Sequence, residues 1–194
     1  MKRKWIAVCA LAGLFGWNPA SADSFRPAPG PSTLILDSNT QSGNAATWKI
    51  GDLGSVNAVR ASVRVHRLDY DPFKTPSFTI TLSGDAYKVV FNILSTNFRP
   101  PLAMRLEHWV DGKFWQQQSF SAALKLDETL DVAIDWTADG NVTVQAGTET
   151  KTMYLGAPVS SVEFSASVGE IDFAPFKVGH VNTPVEPLGP YHLG

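Results

Sequence analysis

From Leu102 to Phe120 the chain reads LAMRLEHWVDGKFWQQQSF, two alternating apolar and polar runs joined at Asp111-Gly112. Asp-Gly between such runs is a hairpin signal, because a tight type I′ turn needs positive φ at both central residues. A two-residue turn sets a register: Trp109 opposite Phe114, Glu107 opposite Gln116, and Arg105 opposite Gln118. Strand side chains alternate, so these six share one face. Met104, Leu106, His108 and Trp115 then share the other, with Trp115 in the core and His108 a hydrogen-bonded core histidine. The first face combines a charged pair, two amides and two rings, which suits stacking on and hydrogen-bonding a sugar. An ordinary wet sheet face with cross-strand charge pairing reads equally from the same residues.

Period-two alternation recurs along the chain. Thr33–Leu36 and Ala46–Ile50 are short strand candidates separated by a polar loop, and Trp48 is the first large ring expected to be buried. Within Val56–Leu68, Val59, Ala61, Val63 and Val65 alternate with Arg60, Ser62, Arg64 and His66. Ser77–Ser83 buries Phe78, Ile80 and Leu82, and Gly84-Asp85 turns into the more continuously apolar, central Tyr87–Ser95. Ser121–Leu126 is the one stretch compatible with a single helical turn. Leu130–Trp136, Val142–Val144, Thr150–Leu155, Val162–Val168 and Gly169–Val178 complete about a dozen short strands. Strands of this number without a long helix make the chain all-β, a two-sheet antiparallel sandwich or a barrel.

The N-terminus reads differently. Lys2-Arg3-Lys4, the uncharged apolar run Trp5–Gly16 and Ala20-Ser21-Ala22 form the pattern of a cleavable signal peptide. That predicts a secreted or periplasmic protein beginning at Asp23. The apolar run is too short to span a bilayer, and nothing later reaches that length. The expected organisation is a signal peptide over 1–22, a Pro-rich arm over 23–32, a sandwich over 33–179 and a Pro-containing tail over 180–194. Cys9 is the only cysteine, so disulfides and thiol chemistry are not expected after cleavage. The leader carries three basic residues and no acidic one, so its removal takes the net charge from −2 to −5. A mildly acidic domain is a poor partner for nucleic acid or anionic membranes.

Two segments carry a resemblance. Leu130–Gly147, LDVAIDWTADGNVTVQAG, resembles the late hairpin of the concanavalin A-like lectin/glucanase superfamily, in which a strand ending in Trp meets an Asp-Gly turn. Gly169–Val178, GEIDFAPFKV, resembles the closing strand of its laminin-G-like members. The resemblance implies a jelly roll whose concave sheet is the sugar-binding or catalytic side. Gly169-Glu170-Ile171-Asp172 also resembles the E-I-D segment that carries the catalytic carboxylates of the laminarinase-type branch. Retaining glycosidases need two carboxylates roughly 5 Å apart. Glu170 and Asp172 match, but Ala174 and Pro175 stand where the second glutamate would be. The expectation is solvent-facing carboxylates on an edge strand.

No other catalytic pattern emerges. Asp135, Asp139 and Asn141 have calcium-ligand chemistry, yet Asp-Gly-Asn is also what a tight turn demands. His66, His108, His180 and His192 are scattered without metal-ligand spacing. No catalytic residue, metal or cofactor is therefore assigned. The candidate ligand-binding set is Arg60, Arg64, His66, Arg105, Glu107, Trp109, Phe114, Gln116 and Gln118, provided the strands that carry them share a sheet. Such a face would favour a polysaccharide bearing carboxylate or sulfate groups, because Arg can hold an anion through two hydrogen bonds. The reading is an exported, non-catalytic β-sandwich that binds a poly- or oligosaccharide. The alternatives are a small polysaccharide lyase or glycoside hydrolase using the same face, and an envelope structural or interaction protein.

Overall fold

The computed structural model describes residues 25–38, 45–97 and 99–182. The expected signal peptide and the tail beyond residue 182 lie outside them. No helix occurs among the described residues, and none of their segments is a helix long and apolar enough to cross a membrane.

The described residues form thirteen strands: β1 (Phe25–Pro27), β2 (Leu34–Ser38), β3 (Ala46–Ile50), β4 (Ala58–Arg67), β5 (Ser77–Gly84), β6 (Tyr87–Leu94) and β7 (Leu102–Val110), then β8 (Lys113–Leu124), β9 (Thr129–Trp136), β10 (Asn141–Ala146), β11 (Glu149–Tyr154), β12 (Ser161–Ala166) and β13 (Gly169–Val181). They form two antiparallel sheets. The six-stranded sheet runs β3-β12-β5-β6-β7-β8, and the seven-stranded sheet runs β1-β13-β4-β9-β10-β11 with β2 also paired to β13.

Inward parity follows the alternation. Val59, Val63, Val132, Ile134, Val142 and Val144 from one sheet meet Phe78, Ile80, Leu82, Phe91, Leu106 and Phe164 from the other, all essentially inaccessible. Each such side chain contributes about 1.5–3 kcal/mol by leaving water. Phe173 and Phe176 are three residues apart, so strict alternation would expose one of them. A register shift between them turns both inward, where Phe176 meets Phe164 at 5.2 Å and Trp48 at 5.4 Å.

Three expectations need correction. The segment 121–126 is not a helical turn: β8 continues to Leu124, and Phe120 and Leu124, an even number of residues apart, both face inward. A four-residue spacing of apolar side chains fits one face of a helix and one face of a strand alike. Part of the Pro-rich arm is sheet, since Phe25–Pro27 pairs with Gly179–Val181 and extends the last strand beyond Val178. Backbone pairing of this kind leaves no side-chain period to read. Finally, β13 is not an edge strand, because β4 flanks one side of it and β1 and β2 the other.

Candidate functional site

The outward positions of the six-stranded sheet line up in rows across the strands. One row runs Lys49, Glu163, Thr81, Val90, Glu107 and Gln117; another runs Ser161, Ser83, Lys88, Trp109 and Phe114. A groove of about 470 Å³ crosses both rows, lined by Lys49, Thr81, Ser83, Lys88, Trp109 and Glu163, among others. The turn beside it is a tight one, with positive φ at both Asp111 and Gly112.

Trp109 is half-buried in the groove wall. Its indole Nε1 donates to Glu107 Oε2 at 3.2 Å, and Phe114 meets the ring edge-on at a centroid distance of 5.6 Å. Both contacts restrict the ring. Glu107 is itself only 8% exposed although it points away from the core. In the next row Asn92 lies opposite Arg105, and its buried Oδ1 has no hydrogen-bond partner among the described residues.

The candidate residues divide into three groups. Arg105, Glu107, Trp109 and Phe114 share the outer face of the six-stranded sheet. Arg60, Arg64 and His66 do not join them, because β4 belongs to the seven-stranded sheet. There they engage neighbours: Arg60 pairs with Asp135 at 2.6 Å, Arg64 donates to the Thr129 hydroxyl, and His66 lies between Asp127 and Asp172. The two-residue turn sets Trp109 opposite Phe114 as expected, but a bulge then advances β8 by one residue. Glu107 therefore faces Gln117 and Arg105 faces Ser119, while Gln116 and Gln118 take the opposite parity. Gln118 instead donates to the Thr152 carbonyl at 2.9 Å, tying the edges of the two sheets together.

The same bulge exposes Trp115. It was expected in the core and is 71% accessible. His108 does sit inside, with Nε2 3.1 Å from the Leu155 carbonyl and its ring stacked on Tyr87. A carbonyl only accepts, so Nε2 carries the hydrogen. Gly156, at φ +96°, lets the chain pass beneath Tyr87, whose ring a Cβ would meet at 2.9 Å.

No family profile and no characterised protein matches the sequence. Solved structures do. A galectin of Caenorhabditis elegans superposes with a TM-score of 0.53 at 10% identity, covering 77% of this chain and 96% of its own. An Alteromonas alginate lyase gives 0.53 at 12%, covering 84% and 93%. A family 18 polysaccharide lyase gives 0.53 at 12%, covering 82% and 96%. The fold these structures share with the chain is a two-sheet antiparallel jelly roll.

Within this jelly roll the carboxylates of the E-I-D segment are engaged by basic neighbours. Glu170 accepts from Arg67 at 3.1 Å and Asp172 lies 3.2 Å from His66. The Asp139 turn is closed locally by Thr137 and Asn141, and the Thr137 hydroxyl holds the Asp139 carboxyl below its usual range. Among the described residues no group of three or more His, Cys, Asp or Glu is arranged to hold a metal ion. Lys49, Lys88, Thr81, Ser83 and Glu163 were missed from the sequence. Their outward parity was readable in each strand, but the strand order that gathers them was not.

Proposed function

We propose that the protein binds a poly- or oligosaccharide in the groove of the six-stranded sheet and does not cleave it. The observation that carries this reading is Trp109, a half-buried ring fixed by Glu107 and Phe114 at a groove whose lining also includes hydroxyls, charged tips and Val90. A sugar offers an apolar C–H face to such a ring and hydroxyls to Thr81, Ser83 and Ser161. The similar solved structures are a galectin and polysaccharide lyases, so the fold is compatible with either holding or cutting a glycan.

The arrangement of carboxylates favours holding over hydrolysis. A glycosidase needs two carboxyl groups about 5–9.5 Å apart. Glu107 and Glu163 stand on strands three steps apart, a backbone separation of about 14 Å. Glu107 is also bound to the Trp109 indole along its own strand, which keeps it from reaching across.

Affinity electrophoresis against a panel of neutral and acidic polysaccharides tests the reading, with reducing ends and unsaturated sugars assayed in the same mixtures. We expect retardation of the wild type, its loss in Trp109→Ala, and no released product. Product formation abolished by Glu163→Gln or Lys88→Gln would make the groove an active site instead. Export belongs to the same proposal, supported by the basic, apolar and Ala-Ser-Ala segments of residues 2–22. N-terminal sequencing of the protein recovered outside the cytoplasm should begin at Asp23.

A further inference from the structure

Three cations of the groove's face are unengaged, Lys49 and Lys88 in its lining and Arg105 beyond it on the same strand as Trp109. Lys49, Lys88 and Arg105 all point outward from the six-stranded sheet, and none makes an ion pair or side-chain hydrogen bond within the described residues. This does not reflect a shortage of carboxylates. Arg67 on the other sheet engages three of them, from Asp37, Asp69 and Glu170, and Arg60 holds Asp135. The two carboxylates of the groove face do not fill the role either. Glu107 is buried against the Trp109 indole; Glu163 lies opposite Lys49 without forming an ion pair, and is separated from Lys88 by β5 and from Arg105 by β5 and β6.

The positions of the cations are informative. Lys88 is directly opposite Trp109, which puts the two Cβ atoms about 5 Å apart on the same face. Arg105 lies four residues from Trp109 on the same strand, about 13–14 Å along it. Lys49 stands three strands from Lys88, about 14 Å across the sheet. A ring stacked on Trp109 would therefore present its substituents to Lys88, and a chain continuing from it would pass Arg105 or Lys49. The protein as a whole carries a net charge of −2, so its bulk field repels anions and only a local cluster could recruit one.

We infer that the glycan is an acidic one, with carboxylate or sulfate groups taken by Lys88, Arg105 and Lys49 beside the Trp109 platform. This inference rests on the glycan-binding reading above and adds the substrate class. Ammonium and guanidinium groups bind either anion through charge-assisted hydrogen bonds, so the two sources share one chemistry.

The test compares polygalacturonate, the same polymer after carboxyl reduction, and a sulfated galactan, each titrated against the wild type, Lys88→Gln/Arg105→Gln, Lys49→Gln and Lys177→Gln. Lys177 is exposed on the opposite face and controls for overall charge. We expect at least one acidic polymer to bind about tenfold or more tightly than the reduced one, with the advantage shrinking as salt rises. The double variant should lose that advantage, Lys49→Gln should lose part of it, and Lys177→Gln should keep it. Whichever of the uronate and the sulfate shows the larger advantage identifies the anion. Equal wild-type binding to acidic and reduced polymers would overturn the inference while leaving the glycan-binding reading intact. So would an advantage that survives in the double variant or falls equally in Lys177→Gln. Failure of every polymer to bind the wild type would remove both.

Discussion

The two outer faces of the sandwich carry similar residue types and treat them in opposite ways. On the seven-stranded sheet the arginines Arg60, Arg64 and Arg67 are all engaged by neighbours, although Lys177 is not among the described residues' pairings. Arg60 lies 2.6 Å from Asp135, under the ring of Phe25 at 5.2 Å, and Ser62 donates to Asp131 at 2.6 Å. On the six-stranded sheet Lys49, Lys88 and Arg105 form no ion pair among the described residues, even though Glu163 lies opposite Lys49, and the ring of Trp109 lines open space. A face whose donors are satisfied internally has little left to offer a ligand. A face with unengaged charges beside a fixed ring keeps its hydrogen-bonding capacity available.

Replacing one arginine on each face is the sharpest way to break this comparison. Arg60 is 8% exposed, and Arg60→Met would leave Asp135 without its partner at the sheet surface. Because Asp135 keeps some access to water, we expect a loss of about 2–3 kcal/mol, below that of breaking a fully buried pair. Urea unfolding measures it, and polysaccharide affinity should not change. Arg105→Met should do the reverse, moving stability by no more than about 0.5 kcal/mol and weakening binding to acidic polymer. Equal stability losses at both positions would erase the distinction between the faces.

A smaller effect is expected within the β7–β8 hairpin itself. Trp109→Ala removes the ring that lines the groove and should lower glycan affinity about tenfold or more, at roughly 1.4 kcal/mol per decade. Trp115→Ala removes a larger exposed surface, yet that ring does not line the groove. Its affinity should stay within about twofold of the wild type. Paired affinity titrations of the two variants compare them directly. Comparable losses from both would move the binding surface onto the hairpin's exposed tip.

How much of this was legible in the sequence depends on the range of the physics involved. Parity is local, so Val59, Val63, Ile80 and Val132 could be assigned to the core from alternation alone, and each is buried. The Asp111-Gly112 turn was legible for the same reason, and it fixed Trp109 against Phe114. The bulge that follows was not. It inserts one residue into β8 without any glycine or proline to mark it, and it reversed the expected parity of Trp115, Gln116 and Gln118. Strand order is set by packing between distant segments, so alternation could not reveal that Arg60 and Trp109 face away from each other on different sheets. The same limit hid Lys49, Lys88 and Glu163, which come from three separate strands.

The smallest predicted effect separates the faces by pH. His66 on β4 has Nδ1 2.9 Å from Asp127 and Nε2 3.2 Å from Asp172. Only the imidazolium donates from both nitrogens, so these hydrogen bonds, that to Asp127 first and then that to Asp172, raise its pKa. A raised folded-state pKa stabilises the protein fully below the unfolded value of about 6.5, and that contribution is lost as pH rises through the folded value. The melting temperature should therefore carry a small downward step above neutral pH that His66→Asn removes. Among the groove-lining residues there is no histidine, so glycan affinity should not show the same step. Thermal melts and affinity titrations between about pH 5 and 8 compare the two profiles. A step in affinity that disappears in His66→Asn would couple the faces, and the seven-stranded side could no longer be treated as a purely structural surface.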